Sequence, residues 1–285
     1  MGLATKIPSL VFQFIGDLLT GTATLSSSSS MTFNDAGILL AYETKAINFN
    51  SSTSLVRYAN DFVGGYGTQF AISFWIKPVY QSSVLFPIII GSPQGGTGNV
   101  GGGAGVFIAL KRNTSTEYGI TFNFQDPSDS DHPNSGLNAQ IDNANITVGA
   151  WNHVFYSFNN TGSLSKLSVN GSTKTLSSTF ENTAFFPSGS DNDTFLGAAI
   201  GTGTSLVDNF KGDLADVWID NGFLDATSST EIAKFRTSAN KPTGTYPSSQ
   251  VLLKGDATDW QNTGSKDLGT QTLTNISTAT SNPTD

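Results

Sequence analysis

Residues 69–77 read Gln-Phe-Ala-Ile-Ser-Phe-Trp-Ile-Lys, and the alternation inside them decides the fold. Phe70, Ile72, Phe74 and Ile76 fall on one side of an extended chain, while Ser73, Trp75 and Lys77 fall on the other, the period of two expected of a half-buried strand. The same period recurs outward in both directions, in residues 45–50 (KAINFN), 117–124 (EYGITFNF), 151–158 (WNHVFYSF) and 214–219 (LADVWI). Residues 86–90 (FPIII) and 106–110 (VFIAL) are continuously apolar, as expected of central strands covered on both sides. Residues 165–169 (SKLSV) and 172–176 (STKTL) flank Asn170-Gly171, which accepts the positive φ angles of a type I′ turn and predicts a hairpin. One short helix is expected at 230–236, with Ser228 as N-cap and Glu231 three residues on closing a capping box. Short strands punctuated by turns about every ten residues predict an all-β sandwich or jellyroll.

Composition agrees. A chain of 285 residues suffices for one large sandwich or two small domains. Only 13% of residues are charged and 20 Phe supply most of the aromatic mass, which suits strands and turns better than helices. Cysteine is absent, so neither a disulfide framework nor a thiolate metal site can form. A formal net charge of −8, with no cluster of Lys and Arg, repels a phosphate backbone, so no nucleic acid is expected as a partner. No apolar run approaches the roughly 18 residues of a membrane-spanning helix, so no membrane insertion is expected.

Residues 1–30 read as a separate arm and linker. Leu10, Val11, Phe12, Phe14, Ile15, Leu18 and Leu19 run into a Thr/Ser tract at 20–30 that has nothing to bury. Pro8, Gln13 and Asp17 interrupt the apolar stretch and Lys6 is the only basic residue ahead of it, which argues against a secretory leader. Lys6 also stands where a myristoylation signal needs Ser or Thr. Leu10, Phe14 and Leu18 would share a helical face too short to be stable alone. The stretch is therefore either an assembly arm docked on another protein or copy, or an extra element packed on the sandwich. The expected organisation is an arm at 1–30, a jellyroll at 31–240 and an extension at 241–285 packing on it.

Three segments together resemble the concanavalin A-like lectin/glucanase superfamily in its laminin G-like jellyroll form. They are AISFWIKP at 71–78, GAWNHVFYSF at 149–158 followed by LSKLSVNG at 164–171, and FKGDLADVWIDNGFLD at 210–225. The resemblance implies a jellyroll β-sandwich, and it implies that Asp213, Asp216 and Asp220 are turn and strand-edge residues of the last motif. The C-terminal part, with Lys241-Pro242 and the stretch to Gly264, is similar to laminin G-like proteins of tailed-bacteriophage particles. That similarity implies a virion role as a capsid decoration, head fibre or tail-associated protein, with other virion proteins, further copies of itself or surface glycans as partners. A secreted, extracellular carbohydrate-binding module is the alternative.

Candidate chemistry is sparse. Glucanases of this superfamily carry paired acids in an E-x-D-x-E strand, because glycoside hydrolysis needs two carboxyl groups at a set separation. Here Glu43, Glu117, Glu181 and Glu231 stand apart, so no catalytic residue and no enzyme activity is expected. His132 and His153 are too few for a three-histidine zinc site, and His153 is expected as a hydrogen-bonded core group. Gly96, Gly98 and Gly101 spell G-x-G-x-x-G, but a strand follows them instead of a helix, so no dinucleotide site is read there. No cofactor is required; calcium is the one ion considered, with Asp129, Asp131, Asp191 and Asp193 in acidic loops as candidate ligands. Tyr66 and Trp260 are the candidates to stack on a sugar, with structural packing as the alternative for both.

Overall fold

The computed structural model describes residues 22–24, 30–32, 44–60, 62, 69–92, 105–125, 136–159, 164–176, 178–181, 193–200 and 206–285. The apolar arm residues Leu10, Val11, Phe12, Phe14, Ile15, Leu18 and Leu19 lie outside these, as do Tyr66, Asp129, Asp131 and Asp191. Two compact units divide the chain, Met1–Glu43 and Thr44–Asp285. In the first, β1 (Thr22–Thr24) pairs antiparallel with β2 (Ser30–Thr32), so the Thr/Ser tract expected as a featureless linker carries a hairpin. The boundary also falls at 43/44, not after residue 30.

The second unit is a sandwich of two antiparallel sheets. One runs β12 (Ser172–Lys174), β11 (Leu164–Val169), β10 (Asn152–Asn159), β5 (Gln69–Pro78), β17 (Gly212–Asp220), β18 (Val251–Lys254) and β19 (Gln261–Asn262), with β3 (Ile47–Phe49) joining β17 to β21 (Ile276–Thr278). The other runs β13 (Ser178–Glu181), β9 (Gly136–Thr147), β8 (Glu117–Gln125), β7 (Gly105–Arg112), β6 (Ile88–Ser92), β14 (Thr194–Leu196), β4 (Leu55–Tyr58) and β20 (Gln271–Thr274). These are called the nine-stranded and the eight-stranded sheet below. A separate ribbon pairs β15 (Ala199–Ile200) with β16 (Leu206–Val207).

The period-two reading places the core. Phe70, Ile72, Phe74 and Ile76 of β5 point between the sheets with Val154, Tyr156 and Phe158 of β10, and they meet Ile108, Leu110, Ile120 and Phe122 from the facing layer. Phe122 and Tyr156 stack across that layer with ring centroids 3.9 Å apart. At the predicted hairpin, Asn170 has φ 53° and Gly171 φ 76°, as a type I′ turn requires. Gly212 explains the glycine of its motif: its φ is +143°, and a Cβ there would lie 2.3 Å from the Lys77 carbonyl oxygen of β5.

Three expectations need correction. Strand β5 is buried on both sides, not one, because distant chain covers its outer face. The helix, α1 (Ser229–Ile232), is shorter than expected, and Ser228 makes no side-chain cap bond; Glu231 reaches forward to Lys234 at 2.6 Å instead of back to the N-cap. The extension at 241–285 does more than pack on the jellyroll. It supplies β18, β19 and β21 to one sheet and β20 to the other, closing both beside β3 and β4.

Candidate functional site

A sandwich has two outer faces, and here the chain treats them differently. The outer side of the nine-stranded sheet carries Ala71, Ser73 and Trp75 on β5, His153 and Phe155 on β10, and Ala215 and Trp218 on β17. Onto it, α1 and the segment after it bring Ile232, Phe235 and Tyr246. The Phe235 ring lies 4.8 Å from both Phe155 and Trp218, and Trp218 Nε1 donates to the Pro247 carbonyl at 3.0 Å. Farther along, the C-terminal tail crosses the sheet: Ala279 N donates to the Ala46 carbonyl, and Lys77 Nζ and Trp151 Nε1 both reach Ser281 Oγ.

Polar groups on this face are internal. His153 is fully buried, its Nε2 lies 2.8 Å from Ser73 Oγ, and its ring centroid sits 4.9 Å from that of Trp75. Burial, aided by the Arg236 charge, pushes its pKa down to about 3, so the ring is neutral at pH 7. Asp213 and Asp216 lie within β17 near the middle of the sheet, not at a strand edge; only Asp220 ends the strand, accepting from Gly222 N. A bulge between Ala215 and Trp218 gives Asp216 a φ of 47°, and its carboxylate accepts from Tyr246 Oη at 2.5 Å and Thr44 Oγ1 at 3.2 Å. Desolvation raises the pKa of Asp213, against the opposing pull of an Asn48 hydrogen bond and the Lys77 charge. Among the described residues, His153, Asp213 and Asp216 are screened from an external substrate by that layer.

The outer side of the eight-stranded sheet is built from rows fixed by strand register. One row passes through Thr272, Arg57, Phe195, Gly91, Phe107 and Asn123 on six successive strands. Strands sit about 4.8 Å apart, so Phe195 and Phe107 flank the bare backbone of Gly91 at roughly 10 Å from one another. The next row holds Ile88, Ala109 and Thr121. Phe86 and Phe107 pack on Ile88 and Ala109 as a small apolar cluster of this side. Charges border it in pairs: Arg57 Nε and Nη2 lie 2.7 and 2.6 Å from Asp193 Oδ2, and Lys111 Nζ lies 2.5 Å from Asp142 Oδ1. Phe195, Thr121 and Asn123 are screened from solvent, so the accessible groups are Arg57, Thr272, Asp142, Lys111 and the half-buried Phe107. Such a mixture offers donors, acceptors and an aromatic surface to a hydroxylated ligand. It does not offer two unpaired carboxyl groups facing one another.

Of the residues predicted from sequence, Trp260 is not available for stacking. It is 4% exposed in the core, with Nε1 donating to Tyr58 Oη at 2.9 Å. Asp193 is present at the rim, but its carboxylate is matched by Arg57, a cation that competes with calcium for the same oxygen. Among the described residues no three His, Asp or Glu side chains gather as a metal site, and these residues alone do not make a calcium cage. His153 is the hydrogen-bonded core group the sequence predicted. One residue escaped the reading: Tyr80, 38% exposed, is the only exposed aromatic among the described residues. Its signal was faint, an aromatic just past Pro78, where the alternation of β5 ends.

A sequence profile of the concanavalin A-like lectin/glucanases superfamily matches residues 50–233, more than half of the chain. The chain belongs to this superfamily. Its laminin G-like jellyroll is similar to a native heptameric SAP-like pentraxin from Limulus polyphemus, at 12% identity and a TM-score of 0.53, over 85% of this chain and 97% of that one. It is similar also to a protein from Bacteroides ovatus ATCC 8483 provisionally assigned as carbohydrate-binding, at 14% identity and a TM-score of 0.52, over 91% of this chain and 66% of that one. At these identities the likeness bears on the fold. No curated protein sequence matches the chain.

Proposed function

We propose that the protein is a non-catalytic, carbohydrate-binding jellyroll carried on the surface of a bacteriophage particle, as a decoration, head-fibre or tail-associated component. The observation that carries the binding reading is the outer side of the eight-stranded sheet, where the accessible Arg57 and Thr272 lie three and four strands to one side of the half-buried Phe107 and Asp142 lies two strands to the other, an extended polar surface around an aromatic ring. The same observation favours binding over hydrolysis, since Asp142 and Asp193 are each matched by a cation. The fold shared with the Bacteroides ovatus protein points the same way. The particle setting rests on the C-terminal sequence from Lys241 to Gly264 and on the apolar sequence at Leu10–Leu19, which would be a solubility liability if left exposed. Other virion proteins are the partners proposed for that arm, and further copies of the chain come second.

Two measurements test this. The whole chain, applied to a printed array of neutral and acidic oligosaccharides, binds at least one of them and releases no reducing ends from β-glucans. Mass spectrometry of purified virions from the same source finds the chain among the particle proteins. Absence from virions together with presence in the culture medium would replace the particle by a secreted module. Turnover that vanishes on changing an Asp or Glu would overturn the non-catalytic reading.

A further inference from the structure

The loop joining β5 to β6, residues 79–87, is held more firmly than a solvent-facing loop needs to be. Val79 N donates to the Lys211 carbonyl at 2.9 Å, and Gln81 N donates to Tyr118 Oη at 2.8 Å. Tyr118 Oη in turn donates to the Val79 carbonyl at 3.3 Å. The Gln81 side chain is buried beneath the loop with both ends used: Nε2 donates to the Asn209 carbonyl at 2.8 Å, and Oε1 accepts from Lys211 N at 2.9 Å. On the far side Arg112 N donates to the Leu85 carbonyl at 3.0 Å and its guanidinium to the Ser82 carbonyl. The backbone is thus pinned immediately before and after Tyr80.

This pinned loop presents the exposed large apolar side chains found among the described residues: Val79 at 51%, Tyr80 at 38% and Leu85 at 49%. Leu85 is followed by Phe86, which packs with Ile88 and Phe107 on the outer side of the eight-stranded sheet. The loop therefore runs into the candidate face at its β6 end. Its size argues for the kind of occupant. A stable protein interface takes about 800 Å² and 20–30 residues from each partner, far more than three side chains supply. One exposed aromatic ring, on a loop that also exposes Ser82 and Ser83 and receives the Arg112 guanidinium at the Ser82 carbonyl, matches a single sugar ring in size. A rigid loop also suits recognition, because little conformational freedom is left to lose when a ligand arrives.

We propose that Tyr80 is the platform on which a pyranose ring of the carbohydrate ligand stacks, laying its C–H face on the phenol ring. This rests on the carbohydrate-binding reading above and names the contact within it. The test uses the whole chain and the oligosaccharide array, comparing the wild type with Tyr80→Ala and Tyr80→Phe. Tyr80→Ala weakens binding to the captured oligosaccharide by about tenfold or more, the scale of a lost aromatic anchor. Tyr80→Phe keeps the ring and stays within about threefold. Both variants retain the wild-type Tm, because the side chain is exposed. Wild-type affinity in Tyr80→Ala would overturn the platform and leave the carbohydrate reading standing. Equal loss in both variants would overturn it too, since stacking needs the ring and not the hydroxyl. An array on which the wild type binds nothing removes the carbohydrate reading and the platform together.

Discussion

On the outer side of the nine-stranded sheet, the Phe235 ring meets Phe155 and Trp218 at 4.8 Å, and even the polar groups His153 and Asp216 are enclosed. On the outer side of the eight-stranded sheet Phe195, Thr121 and Asn123 are also screened, but Arg57 and Asp142 stay in contact with water, each in an ion pair, with a half-buried Phe107 between them in the strand order. The two sheets share a core, so the difference lies in what the rest of the chain does with each outer face. Alpha1 and the segments around Tyr246 and Ser281 are spent on one face, where buried apolar area supplies stability. Exposed ion pairs such as those on the other face contribute little to the fold.

If that division holds, substitutions on the two faces differ in kind. The largest effect belongs to Phe235→Ala, which empties the centre of the covered face. It should cost about 3–5 kcal/mol of unfolding free energy and show as a lower urea midpoint; a cost below ~1 kcal/mol would mean that α1 merely rests on the sheet.

Acid comes next. An ordinary histidine takes up its proton near pH 6.5, whereas His153 in the folded chain refuses it until about pH 3. Between those values the unfolded state holds one proton more, so the contribution is fully present above pH 6.5 and is lost, over several kcal/mol, as pH falls through the window. Urea midpoints measured at pH 7 and pH 4 should therefore fall more steeply for the wild type than for His153→Gln. Equal slopes would remove His153 from the acid sensitivity.

The smallest stability effect is expected on the opposite face. Arg57→Ala should change unfolding free energy by no more than about 1 kcal/mol, read as a small shift of the urea midpoint, and the Tm with and without excess chelator tests the calcium expectation. A Tm that drops with chelator and recovers with calcium would show that the acidic loops hold an ion that stabilises the folded state.

The division into faces was only half legible in the sequence. Alternation across residues 69–77 put Phe70 and Ile76 inward, and Asn170-Gly171 marked its turn, because both signals are local. What covers the outer side of β5 and its neighbours is not local: Phe235, packed on Trp218, and Ala279, packed with Trp75, arrive from more than 150 residues away, and no period in β5 announces them. The choice between stacking and packing for Trp260 was hidden for the same reason, since the Tyr58 hydroxyl that takes its indole N–H lies 202 residues back. Strands β20 and β21 are four and three residues long, too short for an alternation to stand out, so the extension at 241–285 looked like an addition and not a part of both sheets. Glu231 offered a capping-box pattern, but Lys234 three residues on captured its carboxylate. Tyr80 became visible only once its exposure could be compared with that of the other aromatic residues.

The central claim is that ligand recognition belongs to the eight-stranded face while the nine-stranded face is structural. Backbone hydrogen exchange of the whole chain, measured with and without the oligosaccharide the array selects, tests it most directly. The account predicts that added protection falls on β4, β6, β7 and the 79–87 loop, with α1 and β18 unchanged. Protection concentrated at α1 and β18, with the 79–87 loop exchanging as before, would contradict it.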